Sequence, residues 1–339
     1  REELRDGNRS IFSRRLLSAM DDRLKKRQQT MLFLNRRGLS GFVSCRSCGK
    51  SIRCPHCDVT LSLHKDGSLR CHYCGYRIPM PKNCPSCGSP YISGFRAGTQ
   101  QIEREVHRLF PQARVLRMDY DTTRTRESYE QILSAFGNGQ ADILVGTQMI
   151  VKGHDFPDVT LVGIVAADIS LYASDYRAAE RTFQLLTQAV GRAGRGSKAG
   201  EAVIQTYMPE HYSIQTAAKQ DYDAFYEQEI LYRELMGYPP VDEMLGIYLS
   251  GKDLEKLESC AEQLAEWIRN AHVEGLCLIG PADAALARKN DSYRKVIYMK
   301  HEKKIILLKI KKLLEQQIAG TDNWNDIFIQ FDYNPLQAY

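Results

Sequence analysis

Eight cysteines stand as four Cys-x-x-Cys pairs between residues 45 and 87: Cys45/Cys48, Cys54/Cys57, Cys71/Cys74 and Cys84/Cys87. That spacing suits two tetrahedral metal sites, because a two-residue spacer lets both sulfurs of a pair reach one ion from a tight turn. A glycine or proline beside each pair (Gly49, Pro55, Gly75, Pro85, Gly88) supplies the turn. The competing reading is a disulfide framework. Against it, the other two cysteines, Cys260 and Cys277, sit alone in apolar stretches, and no secretory signal is read at the start. Two structural zinc ions, held by reduced thiols in a cytoplasmic protein, are therefore expected.

The residues between the pairs suggest which pairs share an ion. Val59-Thr60-Leu61-Ser62-Leu63-His64 alternates apolar and polar, Lys65-Asp66-Gly67 reads as a turn, and Ser68-Leu69-Arg70 returns as a second strand. Such a hairpin sets Cys54 and Cys57 against Cys71 and Cys74, an inner site. Cys45, Cys48, Cys84 and Cys87 are left to form an outer site around it. Sequential pairing is the alternative; it asks the five residues between Cys48 and Cys54 to close one site and makes no use of the hairpin. With eight thiolates available, His56, His64 and His72 read as solvated.

With 339 residues, 43% of them hydrophobic, the chain is long enough for two or more domains. The net charge of +5 is modest but unevenly placed. Residues 45–90 hold seven Lys/Arg against Asp58 and Asp66, and residues 288–312 hold ten against Asp291 and Glu302. Local excess of this kind points to a polyanion partner, with a merely solvated basic face as the alternative. No apolar run is long enough to span a bilayer, so no membrane association is expected. The chain opens on Arg1-Glu2-Glu3 and runs into Ser10–Lys26, where Ile11, Leu16, Leu17, Met20 and Leu24 form a helical stripe. It reads as a piece of a longer protein.

Strand-like runs at 31–34, 115–118, 143–145, 161–165 and 202–205 alternate with amphipathic helices near 100–110, 127–137 and 177–191, the pattern of a parallel α/β sheet with crossover helices. After Gly237-Tyr238-Pro239-Pro240 the order strand (245–249), helix (254–271), strand (276–279), strand (294–299), helix (302–318), strand (326–332) predicts a small α+β domain of split βαβ type. The expected boundaries are 1–44 and 91–236 for the α/β lobe, 45–90 for the zinc insertion and 237–339 for the C-terminal domain.

Two segments carry chemistry. Gln188-Ala189-Val190-Gly191-Arg192-Ala193-Gly194-Arg195 closes a helix with two arginines three apart, separated by small residues that let a ligand approach. Guanidinium groups so placed suit the spread negative charge of a transferring phosphoryl group. Val145-Gly146-Thr147-Gln148-Met149 through Lys152-Gly153-His154-Asp155-Phe156-Pro157 follows a strand, where α/β sheets bind ligands. Together these segments resemble motifs V and VI of superfamily 2 helicases and translocases, in the second of their two RecA-like lobes. With Phe33-Leu34-Asn35-Arg36-Arg37-Gly38, the eight-cysteine insertion, Gly98-Thr99 and Asp168 through Arg195, the chain resembles the PriA family of replication-restart DNA helicases.

The resemblance implies roles. Arg195 and Arg192 would be arginine fingers for the γ-phosphate held by the other lobe, with Gln188 facing the same cleft and Asp155 organising its nucleotide side. Thr147, Gly153 and Thr99 would lie on the DNA track. The zinc module would help separate strands and bind primosome proteins. The C-terminal domain, similar to a ribosomal S10-type fold, would bind forked DNA and the acidic tail of single-stranded-DNA-binding protein, with Arg294, Lys295, Lys300, Lys303 and Lys304 as its candidates. The sequence has no Gly-x4-Gly-Lys-Ser/Thr phosphate loop and no DEAH-type acidic motif, so it would hold half of an ATP and Mg2+ site. A non-catalytic zinc-dependent scaffold and a double-strand translocase are the alternatives. The scaffold leaves the two spaced motifs as coincidence.

Overall fold

The structure, a computed structural model, describes residues 3, 6–8, 10–34, 43–64, 66–93, 98–150, 155–173, 175–321 and 324–336. In chain order its elements are α1 (Arg14–Lys25), β1 (Gln29–Leu34), β2 (Ser44–Cys45), β3 (Ser62–Leu63), β4 (Ser68–Arg70), β5 (Arg77–Pro79), β6 (Ile92–Ser93), α2 (Thr99–Leu109), β7 (Val115–Met118), α3 (Arg126–Gly137) and β8 (Ile143–Gly146). They continue with β9 (Val159–Val165), a 3-10 turn (Ala167–Tyr172), α4 (Ala178–Val190), β10 (Glu201–Ile204), α5 (Tyr212–Lys219), α6 (Tyr222–Met236), β11 (Glu243–Gly251), α7 (Leu254–Asn270), β12 (Cys277–Lys289), β13 (Ser292–His301), α8 (Lys304–Ala319) and β14 (Phe328–Tyr333). By contacts the chain divides into two units. One holds residues 1–50, 82–173 and 178–225, the other 51–81, 174–177 and 226–339. The 45–90 stretch is thus shared between the units, and α6 from Tyr226 onward belongs to the second.

The first unit is built on a five-stranded parallel sheet in the order β10-β9-β1-β8-β7. Strands β1, β8 and β9 are buried throughout, as their continuous apolar runs require when both faces of a parallel sheet are covered. On one face Met31, Phe33, Leu144 and Val162 meet Phe136 of α3 and Phe183 and Leu186 of α4. On the other, Leu32, Leu34 and Val145 meet Leu16 and Met20 of α1 and Ile102 and Val106 of α2. The side chain of Ser13 caps α1 by accepting from the Leu16 N–H at 3.2 Å. Gly163 allows the close approach of α1, because a Cβ there would stand 2.8 Å from both Leu16 and Leu32. This is the RecA-like lobe the motifs imply.

In the second unit β11, α7, β12, β13, α8 and β14 form an antiparallel sheet in the order β12-β13-β11-β14, the split βαβ arrangement. Helices α7 and α8 cover one face, packing Leu264, Ile268, Leu307 and Leu314 onto Ile247, Ile297 and Met299. The rings of Trp267 and Trp324 stack beside them at 5.7 Å. Strand β12 is much longer than the 276–279 run read from sequence. Gly280-Pro281 hides its second half, and the ladder shifts register there between Ile279 and Ala282. Helix α6, also unread in sequence, carries a buried Arg233 that donates to the Pro239 carbonyl at 2.7 Å and lies 4.7 Å above the Tyr176 ring.

The opposite face of this sheet is closed by aromatic rings. Tyr73, fully buried, sits 4.9 Å from the Tyr298 ring and 6.5 Å from Tyr238. Tyr238 stacks on Tyr176 at 4.8 Å, donates its hydroxyl to the Cys57 carbonyl at 3.0 Å and carries the Lys300 ammonium over its ring. Replacing Tyr73 by Ala should cost about 3–5 kcal/mol, as for other buried aromatic residues, and Tyr73→Phe about 1 kcal/mol for the lost hydrogen bond from the Tyr176 N–H. Trp267 and Trp324 are the chain's two tryptophans and both lie in this unit, so the fluorescence-detected urea midpoint should fall sharply for Ala and slightly for Phe. An unchanged midpoint for Tyr73→Ala would contradict the packing.

Candidate functional site

The eight paired cysteines converge as two groups of four, Cys45, Cys48, Cys84 and Cys87, and Cys54, Cys57, Cys71 and Cys74, with all sulfurs of a group within 4.8 Å of one another. Sγ–Sγ distances of 3.6 Å (Cys45/Cys87), 3.7 Å (Cys48/Cys84) and 3.5 Å (Cys54/Cys74) are close to the edge of a tetrahedron with zinc–sulfur bonds of about 2.3 Å. All ten cysteines are free thiols, which disposes of the disulfide framework. The donor set therefore fits zinc.

Local backbone explains how each pair turns. After Cys48, Cys74 and Cys87 the chain enters the left-handed region at Gly49, Gly75 and Gly88, whose N–H groups return to the carbonyls of Cys45, Cys71 and Cys84. The Cys54 knuckle uses Asp58 in that role, at φ 50°. Strand β3 pairs antiparallel with β4, which brings Cys57 round to Cys71, and β2 pairs with β6, which sets Cys45 opposite Ile92, just after the Cys84/Cys87 knuckle. Burial works against a thiolate at Cys45, but N–H groups of Cys48 and Ser47 and the adjacent thiols outweigh it and bring its pKa down to about 7. In the other group Cys71 and Cys74 push the Cys57 thiol up, while Cys57 and Cys71 pull Cys74 down. Four sulfurs this close cannot all ionise without a cation among them.

Each group is seated in its own unit. In the first unit Tyr172 donates to the Gly49 carbonyl at 2.7 Å, and a Cβ on Gly49 would collide with the Tyr207 carbonyl at 2.4 Å. In the second, Tyr73, between Cys71 and Cys74, is the buried ring of the C-terminal sheet. His72, expected to be solvated, is also buried there. Its Nδ1 lies 3.1 Å from the Asp283 carbonyl and its Nε2 3.4 Å from that of His64, and burial pushes its pKa down.

Arg192 and Arg195 follow the end of α4 and converge on one carboxylate. Asp155 Oδ1 lies 3.3 Å from the Arg192 guanidinium and accepts a short bond from that of Arg195, whose Nε donates to the Gly191 carbonyl at 2.8 Å. Burial and the Arg195 charge lower the Arg192 pKa, partly offset by Asp155. Gly194, at φ +74°, turns the chain between the two arginines and donates to the Val159 carbonyl. Gln188 is exposed on the last turn of α4. This arrangement sets a largely buried guanidinium (Arg192) and a half-exposed one (Arg195) on one carboxylate, donors of the kind that bind an anion.

The expected DNA contacts lie in different states. Thr147 is half-buried just beyond β8, where its carbonyl accepts from the Ile150 N–H. Gly153 and Asn35–Gly38 lie outside the described residues. Thr99 is buried, and its hydroxyl donates to Asp119 at 2.5 Å, which turns the side chain away from a phosphate and leaves only the N-terminus of α2 for that role. Asp119 was not singled out in sequence. Its only signal there is the turn-forming Asp-Tyr-Asp-Thr-Thr after a strand.

The basic run does not gather on one face. Lys295 is held between Glu258 (2.8 Å) and Asp283 (2.9 Å), and Lys300 is buried, donating to the Met236 carbonyl at 2.7 Å. Strand alternation puts Arg294 on the side of the sheet opposite Lys295. Lys303 and Lys304 are exposed at the start of α8.

Residues 54–79 match the family model of the PriA DNA helicase Cys-rich region (CRR) domain, 93–197 that of the helicase conserved C-terminal domain, and 234–336 that of the primosomal protein N C-terminal domain. The replication restart protein PriA of Bacillus subtilis is 46% identical over 338 residues, 99% of this chain and 42% of that protein. Its counterpart in Synechocystis is 42% identical over 342 residues, 99% of this chain and 40% of that protein. The chain belongs to the PriA family. It spans about two fifths of the length of these PriA relatives. Among solved structures, the helicase domain of Pyrococcus furiosus Hef is matched at 16% identity over 56% of this chain and 24% of that one, with a TM-score of 0.26, too distant to bear on the site. No helix among the described residues is long and apolar enough to cross a membrane.

If the PriA-type cysteine groups are independent zinc sites, mercurial titration of the intact chain should release two zinc ions. Cys54→Ser and Cys84→Ser should each release one, and the double variant none. Loss of both ions in either single variant would show that the groups are not independent.

Proposed function

We propose that this chain is the arginine-finger half of an ATP-dependent 3′-to-5′ DNA helicase that restarts stalled replication forks and begins primosome assembly. The observation that carries the reading is the meeting of Arg192 and Arg195 on Asp155 at the end of α4, in a RecA-like lobe of PriA type. The chain's own sequence has no phosphate loop, so ATP and Mg2+ would be bound by another lobe of the longer protein. On closure the two guanidinium groups exchange Asp155 for the γ-phosphate and neutralise charge that develops during transfer; Gln188 faces the same cleft. Asp155 then acts as the resting partner that keeps both fingers extended toward the cleft.

Thr147, Gly153 and the N-terminus of α2 at Thr99 would hold DNA phosphates without reading sequence. Forked and single-stranded DNA are the proposed substrates, in a cytoplasmic, nucleoid-associated protein. Further partners would be other primosome proteins and the acidic tail of single-stranded-DNA-binding protein. For that tail the exposed Lys303 and Lys304 are better placed than Lys295, held by Glu258 and Asp283, and the buried Lys300.

The isolated chain should hydrolyse no ATP. In the longer protein Arg195→Ala should leave DNA binding intact and cut DNA-stimulated ATP turnover by about a thousandfold or more, the usual effect of losing an arginine finger, with Arg192→Ala acting in the same direction. Hydrolysis by the isolated chain at a helicase-like rate, or full turnover by the Arg195 variant, would overturn the assignment.

A further inference from the structure

A short loop that joins two of the proposed DNA contacts has no role in the account above. Parallel pairing of β7 with β8 sets Met118 opposite Gly146, so Asp119 and Thr147 leave the sheet side by side at its carboxyl edge, where open α/β sheets bind their ligands. Asp119 fixes the loop from several directions. Its carboxylate accepts the Thr99 hydroxyl at 2.5 Å, the Arg117 guanidinium at 3.0 Å and the N–H groups of Asp121 and Thr122 at 3.1 Å. Its carbonyl accepts the Thr123 hydroxyl at 2.6 Å, which also lies 3.8 Å from the Met149 sulfur in the turn after Thr147. Burial alone would raise the Asp119 pKa, but these donors hold it below the ordinary value, so the carboxylate stays charged and bonded.

The loop ties down every neighbour of one residue and leaves that residue out. Tyr120 is 83% exposed and has no ring contact or hydrogen bond among the described residues. A large aromatic ring on a rigid loop exposes apolar surface with no packing return within the lobe, which is the arrangement proteins use to stack unpaired bases. Arg124 and Arg126, each resting on a surface carboxylate (Asp121 and Glu130), add exposed guanidinium groups beside it.

We infer that Tyr120 is a stacking contact for a base of single-stranded nucleic acid, presented by the Asp119-anchored loop between Thr99 and Thr147. The inference rests on the helicase reading of this lobe and adds to it a base contact where that reading has only phosphate contacts.

The test is fluorescence anisotropy of the intact chain with a labelled oligothymidylate. Tyr120→Ala should weaken binding about 5- to 150-fold, the range for losing one base–aromatic stack. Tyr120→Trp should retain binding, because the face and not the hydroxyl is used. Blunt duplex, whose bases offer no free face, should bind both variants like the unsubstituted chain. An oligonucleotide carrying 5-iodouracil should photocross-link to Tyr120. If the unsubstituted chain binds the oligonucleotide and Tyr120→Ala binds equally well, or if Trp fails to retain what Ala loses, the stacking contact is wrong while the DNA track stands. If the unsubstituted chain binds no single-stranded DNA, the track itself falls and the stacking contact with it.

Discussion

Four thiolates gathered within 4.8 Å of one another repel too strongly to coexist, and two such groups occur in this chain. A divalent cation at each centre converts that repulsion into folding free energy, on the order of 10 kcal/mol for a structural zinc site. Much else depends on it. The knuckle between Cys71 and Cys74 delivers Tyr73 to the open face of the C-terminal sheet, and the knuckle after Cys45 delivers Gly49 to the hydroxyl of Tyr172 in the RecA-like lobe. Residues 51–81 are too short a segment, with strands of two or three residues, to bury a core of their own. Metal and a borrowed aromatic core together make up the deficit.

The arginine site depends on a different constraint. If Arg192 and Arg195 are the proposed fingers, they must stay extended before the phosphate arrives, yet two guanidinium groups so close repel and invite collapse onto the lobe. In the proposed role a shared carboxylate at Asp155 would meet both needs, because it offsets one of the two positive charges and could yield the pair to a more highly charged anion. The left-handed turn at Gly194 lies between the two arginines; Arg192 is the more buried of the pair, while Arg195 makes the shorter bond to Asp155 and a second one to the Gly191 carbonyl.

How much was legible in sequence follows the physics of each element. Strands of the parallel sheet announce themselves as unbroken apolar runs because both faces are covered, and helices such as Thr99–Leu109 show a 3.6-residue stripe. Cys-x-x-Cys spacing is likewise a local property, so the hairpin at Ser62–Arg70 could be read from alternation alone. What escaped reading is non-local. Nothing near His72 or Tyr73 signals burial against a sheet two hundred residues later, and the lysines at 295 and 300 look free until Glu258, Asp283 and Met236 are found beside them. Thr99 sits at a helix start, as expected, but its hydroxyl answers to Asp119, twenty residues on.

Hydrogen exchange tests the dependence on metal most directly. In a Cys71→Ser variant, amides of β11 and β13 behind Tyr298 should exchange faster, about tenfold for each 1.4 kcal/mol of lost stability, while those of β1 and β9 in the parallel sheet keep their protection. Unchanged protection across β11–β14 would contradict the account, because the C-terminal sheet would then stand without the zinc-held ring that covers it.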